Sequence, residues 1–345
     1  MNRFGRQVRY AVARNGTLLG LILLVVFFSV ENSHFLTWSN AKNIGQAVSV
    51  LGVIAIPLAL LVITGGIDLS VGSVASMTGI LAAKVMVSTG STLVGVLAGL
   101  AFGLSAGVLN GFLVSYLNLN SIVVTLGALS VWGGMALYLT EGQTVAGLPE
   151  SFTNFATTTI FGIPIEIFVL LVVIALGWFV LNRLPFGRRL YSVGGNERAA
   201  FLMGVPVRRV RFLMFVGVGL AASVGGLMVT SKLAAATPTT GQGLEINALT
   251  VVLLGGVAFA GGMGRISGVV AGLFFVGTLQ NGLVVTGTSQ FLQQVFIGLT
   301  LIAAVALDDT IRQFAHRAWT DAVGPAAQDP GDEKAKEYAG AAPPP

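Results

Sequence analysis

Long apolar runs, separated by short polar or glycine-rich links, fill most of the chain. They lack the strict apolar–polar alternation of a barrel strand, and most are long enough to cross a bilayer as helices. The first run, Thr17–Val30, reaches span length when extended to Leu36. Further helices are predicted over about 44–64, 70–87, 92–117, 122–140, 165–182, 212–231, 246–261, 267–287 and 291–307. The expected fold is an all-α, polytopic membrane protein of about ten transmembrane helices, some broken or short. The basic start followed by Thr17–Val30 has the layout of a signal peptide. However, Glu31-Asn32-Ser33-His34-Phe35 shows no small-x-small cleavage pattern, so this run is read as the first span.

Composition narrows the class. Of 345 residues, 54% are hydrophobic and 10% charged, against about 25% charged in soluble domains. An ordinary soluble enzyme, a disordered protein and a disulfide scaffold are excluded. There are no cysteines, hence no thiolate metal site or cysteine nucleophile. His34 and His316 lie far apart, so neither a metal nor a cofactor is expected. The net charge of +5 is read as a sign of orientation, not of nucleic-acid binding.

Residues 1–15 carry Arg3, Arg6, Arg9 and Arg14 without an acid, and 183–211 carries seven arginines against Glu197 alone. Both segments are expected on the cytoplasmic side by the positive-inside rule. Six spans between them satisfy this. Four more return the C-terminus to the cytoplasm, where Arg312 and Arg317 follow the last span. The expected layout is a basic cytoplasmic N-terminus (1–15), one transmembrane domain (16–307) with a cytoplasmic loop (183–211), and a polar tail (308–345), its latter half disordered.

Four features carry candidate function. Glycine rows Gly99, Gly103, Gly107, Gly111 and Gly264, Gly268, Gly272 make flat helix faces, for close packing or for lining a pathway. They belong to a weak internal repeat, in which the pairs Gly65-Gly66 and Gly255-Gly256 also correspond. Around Gly65, Gly66, Asp68, Ser70 and Gly72 two apolar runs join almost without a linker. Gly65 and Gly66 permit a break, and Asp68 and Ser70 can cap the next helix. That turn is either a short cytoplasmic cap or a broken helix at the mouth of a pathway.

In the basic loop, Asn196-Glu197-Arg198-Ala199-Ala200-Phe201-Leu202-Met203-Gly204 predicts a short helix, with Asn196 as N-cap and Gly204 as its stop. Its apolar face, Ala199–Met203, suits docking to a protein or lying on the lipid surface. Inside the predicted spans Asn110, Thr125, Gln280 and Asn281 are candidate pathway residues for a neutral, hydroxyl-rich solute. Each also suits an interhelical hydrogen bond. No lysine follows a glycine, so no Gly-x-x-x-x-Gly-Lys loop exists to bind ATP. Neither Gly-x-Ser-x-Gly nor His-Glu-x-x-His occurs, and no catalytic residue is assigned.

In combination these blocks resemble a family. Ile63-Thr-Gly-Gly-Ile-Asp-Leu-Ser-Val-Gly-Ser73, Asn110-Gly111, Val124-Thr-Leu-Gly127, Gly194–Gly204, Gly255–Gly264 and Asn281-Gly282 are similar to the permease subunits of bacterial ABC importers for monosaccharides, of the ribose, xylose and galactose type. The resemblance covers roughly 40–310. It implies a multi-pass subunit of the bacterial inner membrane that carries a monosaccharide inward. It implies three partners besides the bilayer: an ATPase subunit with two nucleotide-binding domains, a periplasmic or lipid-anchored sugar-binding protein, and a second permease copy, identical or not. The helix Asn196–Met203 is then the element that couples to the ATPase, and ATP chemistry belongs to another chain. Related permeases for branched-chain amino acids or nucleosides are the nearest alternative. An ion-coupled secondary transporter would need titratable residues along the path, and the spans offer little beyond Asp68.

Overall fold

The computed structural model describes the backbone of residues 3–323 and the side chains of residues 16–306. The side chains of the N-terminal arginines and of the tail 308–345 lie outside the described residues. The helices follow in the order α1 (Arg3–Glu31), α2 (Trp38–Ile63), α3 (Val71–Thr89), α4 (Thr92–Ser115), α5 (Ser121–Thr140), α6 (Glu150–Thr157), α7 (Ile165–Arg183), α8 (Pro185–Gly195), α9 (Glu197–Leu202), α10 (Val207–Leu233), α11 (Leu244–Leu254), α12 (Ile266–Val285) and α13 (Gln290–Val323). Between α6 and α7 a small antiparallel hairpin pairs β1 (Thr159–Ile160) with β2 (Ile163–Pro164), with Ile160 opposite Ile163.

Among the described residues seven helices are long and apolar enough to cross a membrane: α2, α3, α4, α5, α7, α10 and α12. Three apolar stretches are shorter: Gly16–Glu31 of α1, the whole of α11, and Gln290–Ala306 of α13. Every predicted run therefore meets a helix, but the run 246–261 needs correction. It is helical only to Leu254 and then turns. Gly256 and Gly261 adopt φ of +76° and +85°, a backbone region that glycine enters without strain. Apolar content alone does not reveal such a break.

The core is built around α2, the most buried of the seven spans. It packs against α7, α10, α11 and α12, and its Ile54, Ile56, Leu61 and Ile63 are fully buried. By contrast, α5 turns Val123, Leu126, Val131, Met135 and Tyr138 outward. Such a face requires lipid or a neighbouring chain.

The first glycine row forms the seam between α4 and α10. A Cβ on Gly107 would stand 2.6 Å from the Phe215 carbonyl, and one on Gly219 2.7 Å from the Gly107 Cα. Backbone contact thus replaces side-chain packing, as lipid-embedded helices favour. Gly268 and Gly272 likewise face the backbone of α11 at Gly255 and Val251. Gly219→Leu is expected to force α4 and α10 apart and lower the thermal midpoint in detergent, since overpacking costs about 1–3 kcal/mol. Gly217→Leu, two residues away with open space around its Cβ position, should leave the midpoint unchanged.

Candidate functional site

The broken turn begins where α2 stops. The Gly66 amide donates to the Leu61 carbonyl at 3.2 Å and the Gly65 amide to that of Val62 at 2.8 Å, with Gly65 at φ +80°. This is a Schellman stop, and it satisfies carbonyls that the helix end would otherwise orphan. Residues 66–70 are not helical. The first turn of α3 then lies beside the body of α10, with the Ala75 backbone against Gly226, beyond the midpoint of that helix.

Asp68 is buried within the packed helices. Its Oδ1 accepts the Ser70 amide at 2.8 Å and the Ser70 hydroxyl at 2.6 Å. The Asn110 side-chain amide reaches across from α4, donating to Ser70 Oγ at 2.9 Å and to Asp68 Oδ2 at 3.4 Å. Ser70 occupies the N-cap position of α3 but makes no side-chain capping bond, because its hydroxyl is turned to Asp68.

On the other side, Gly72 packs against the Gly241 carbonyl and the Glu245 carboxylate, and the Gly241 amide donates to Ser76 Oγ at 2.8 Å. The broken helix is thus held by α4 and by the segment entering α11. Asp68→Asn replaces one acceptor oxygen by a donor that faces other donors. Hydrogen bonds to a charged group contribute about 1.5–3 kcal/mol, so both thermal midpoint and transport should fall. Unchanged transport would reduce Asp68 to a passive turn residue.

The loop 183–211 folds as two helices where one was expected. α8 starts with Pro185 in its first turn, and Leu190 and Val193 are buried. The spacing Phe186, Leu190, Val193 is the signal for it, hidden among the arginines. The second helix agrees with its capping signals. Asn196 Oδ1 accepts the Ala199 amide at 2.9 Å, Met203 is the C-cap, and Gly204 turns the chain at φ +79°.

The expected apolar face Ala199–Met203 requires correction. Ala200 is buried against the core, whereas Phe201, Leu202 and Met203 are 69%, 77% and 85% exposed. Ala199 and Arg198 are also exposed. The Glu197 carboxylate pairs with Arg211 at 2.8 Å and pins α9 to α10.

Three glycine pairs from distant parts of the chain meet beneath this loop: Gly65-Gly66, Gly194-Gly195 at the end of α8, and Gly261-Gly262 after α11. The Gly262 amide donates to the Ile63 carbonyl at 2.9 Å. A Cβ on Gly194 would overlap that same carbonyl. One on Gly262 would stand 2.8 Å from the Gly195 Cα, and one on Gly261 2.8 Å from the Gly65 nitrogen. The end of α8 therefore touches the end of α2 and the approach to α12 backbone to backbone. Gly255-Gly256, the pair that sequence symmetry singled out, is not the one at this junction.

The four candidate pathway residues do not converge. Asn110 belongs to the Asp68 turn. Asn281 on α12 forms a reciprocal amide pair with Asn40 on α2, at 2.8 and 2.9 Å. Asn40 is a structural partner that the sequence reading missed. Thr125 is buried and donates to the Ser121 carbonyl of its own helix at 2.8 Å. Gln280 is half-buried on α12. Among the described residues no group of His, Cys, Asp or Glu is placed to hold a metal ion.

A bundle of apolar helices, one broken and held by buried polar bonds, with an exposed apolar helix tip at one end, defines a polytopic membrane transport subunit. The family model described as branched-chain amino acid transport system / permease component matches residues 40–305, and the chain belongs to this family, the permeases of ABC importers. The ribose import permease protein of Bacillus subtilis is 36% identical over 295 residues, covering 85% of this chain and 92% of that one. The D-allose transport system permease protein of Escherichia coli is 34% identical over 291 residues, covering 84% and 89%. The L-arabinose transport system permease protein of the same species is 35% identical over 293 residues, covering 85% and 89%. No solved structure matches the chain.

Proposed function

We propose that this chain forms the translocation pathway for a monosaccharide in an ATP-driven, binding-protein-dependent importer of a bacterial inner membrane. The sugar is inferred from the relatives, which are named for ribose, allose and arabinose. They favour a sugar over the branched-chain amino acid in the family's description and over a nucleoside.

The observation that carries the mechanism is the exposed Phe201-Leu202-Met203 tip of α9, joined through the glycine junction to the turn at Asp68. In this reading Asn196–Gly204 docks on an ATPase subunit with two nucleotide-binding domains. Closure of that ATPase displaces α8 and α9, and the junction passes the displacement to Gly65, Gly66 and the broken helix. The arginines of 183–211 support a cytoplasmic position for this end, with residues 1–15 and the tail on the same side and 16–307 as one transmembrane domain. A periplasmic or lipid-anchored sugar-binding protein delivers solute to the opposite end. A second copy of the permease, identical or homologous, completes the pathway, and the outward apolar face of α5 offers one surface for it.

An ion-coupled reading would rest on buried carboxylates. Asp68 and Glu166 are the buried acids among the described residues, and Asp68 is occupied by Ser70 and Asn110. Purified alone, the chain should hydrolyse no ATP. Co-expressed with its ATPase it should purify as a stable complex that does. ATPase activity in the chain alone, or no complex, would overturn this assignment.

A further inference from the structure

The sides of the turn between α4 and α5 and of the α9–α10 corner enclose a groove of about 830 Å³. We propose that this groove binds the phosphate-bearing headgroup of an anionic phospholipid. Arg198, Arg208, Arg209 and Arg211 line it, against Glu197 as its one acid. Glu197 is already paired with Arg211. Arg198, Arg208 and Arg209 are exposed and make no ion pair among the described residues.

The floor is also unsatisfied. Ser115, at the end of α4, is one of the lining residues; it is 2% exposed, and its hydroxyl is buried without a hydrogen-bond partner. Arg211 Nε is buried without a partner as well. Unpaired buried donors are uncommon in folded proteins and mark a place for a missing acceptor. A phosphate oxygen supplies acceptors and negative charge together, and guanidinium groups match it in geometry.

The rim shows which phosphate fits. Tyr116 borders the groove and packs on Phe112 with ring centroids 6.0 Å apart and on Phe212 at 5.6 Å. Phe112, Leu109 and Leu213 continue outward as exposed apolar surface along α4 and α10. A ligand seated here meets cations at one end and an apolar belt at the other. A phospholipid has that division, whereas a free anion or an acidic peptide has only the charged part. Tyrosine beside arginine at the end of an apolar belt is also the composition of a membrane interface.

Glu197, Arg198 and Phe201 of the proposed docking segment also line this groove, so the test uses the purified full-length chain without its ATPase, where only the lipid can occupy it. Phosphatidylglycerol added to the chain in neutral detergent should remain bound in native mass spectra and raise the thermal midpoint. Phosphatidylcholine should do neither. Arg208→Gln with Arg209→Gln should weaken phosphatidylglycerol binding about 30-fold, from ~1 kcal/mol per interfacial charge. Ser115→Ala should weaken it several-fold with circular dichroism unchanged. Arg188→Gln with Arg189→Gln, on α8 and away from the groove lining, should have no effect. Equal lipid retention in the Arg208/Arg209 variant overturns the proposal. Inorganic phosphate competing as well as the lipid would make this a free-anion site, also against it.

Discussion

Phe201→Glu combined with Met203→Glu is expected to abolish association with the ATPase while the transmembrane helices stay folded. Both side chains project from the tip of α9, 69% and 85% exposed, so the substitution removes no core contact. Apolar anchors at the centre of an interface typically contribute 2 kcal/mol or more when truncated. Two carboxylates facing the partner would add desolvation. Affinity should therefore fall by at least about 30-fold, read as loss of co-purification and of transport, with the thermal midpoint unchanged. Ala200→Glu is the wrong probe, although Ala200 lies in the same helix. Its side chain is buried, so a charge there would disrupt the loop itself and report folding, not docking. If the Phe201/Met203 variant binds the ATPase normally, α9 is not the docking element.

The second large effect concerns the glycine junction. Gly194→Ala should abolish or strongly reduce uptake while the ATPase still binds. The added methyl would overlap the Ile63 carbonyl, and the neighbouring atom, the Gly262 nitrogen 2.5 Å away, is backbone too. Neither can swing aside as a flexible side chain would. Overpacking of this kind costs about 1–3 kcal/mol. Here the strain falls on the contact between α8 and the end of α2. Gly195→Ala is the matched control, because its Cβ position has open space. A difference between adjacent glycines separates a contact requirement from a general effect of helix propensity. Equal uptake in the two variants would show that the junction transmits nothing.

The spans were legible because each apolar helix carries its signal in consecutive residues. Capping was legible for the same reason: Asn196 and Gly204 bound α9 as their chemistry predicts. The row Gly99, Gly103, Gly107, Gly111 lies on one helix and packs closely as its four-residue spacing suggests, whereas in the second row Gly264 precedes α12 in a turn and only Gly268 and Gly272 share the helix face. What remained hidden depends on residues far apart in sequence. Asn281 read as either a pathway residue or one half of an interhelical hydrogen bond, and its partner Asn40, 241 positions earlier, carries no local signal. Asp68 read either as a short cytoplasmic cap or as part of a broken helix, and no local signal announced Asn110, which reaches it from 42 residues away. The short α11 was masked because Val257, Ala258 and Phe259 are as apolar as the helix before them, although the backbone has already turned. Ala200 and Phe201 are neighbours of similar polarity, and only the packing of α9 separates the buried side chain from the exposed ones.

The energy source for transport is the most direct test of the whole scheme. Uptake of a labelled pentose or hexose can be measured in proteoliposomes holding the permease and its ATPase, with the binding protein present on the side facing the opposite end of the bundle. Accumulation that requires ATP and the binding protein, and that persists when proton and sodium gradients are collapsed, is the expected result. Accumulation by the permease alone, driven by an imposed proton or sodium gradient without ATP, would contradict it and return Asp68 and Glu166 to the centre of the mechanism.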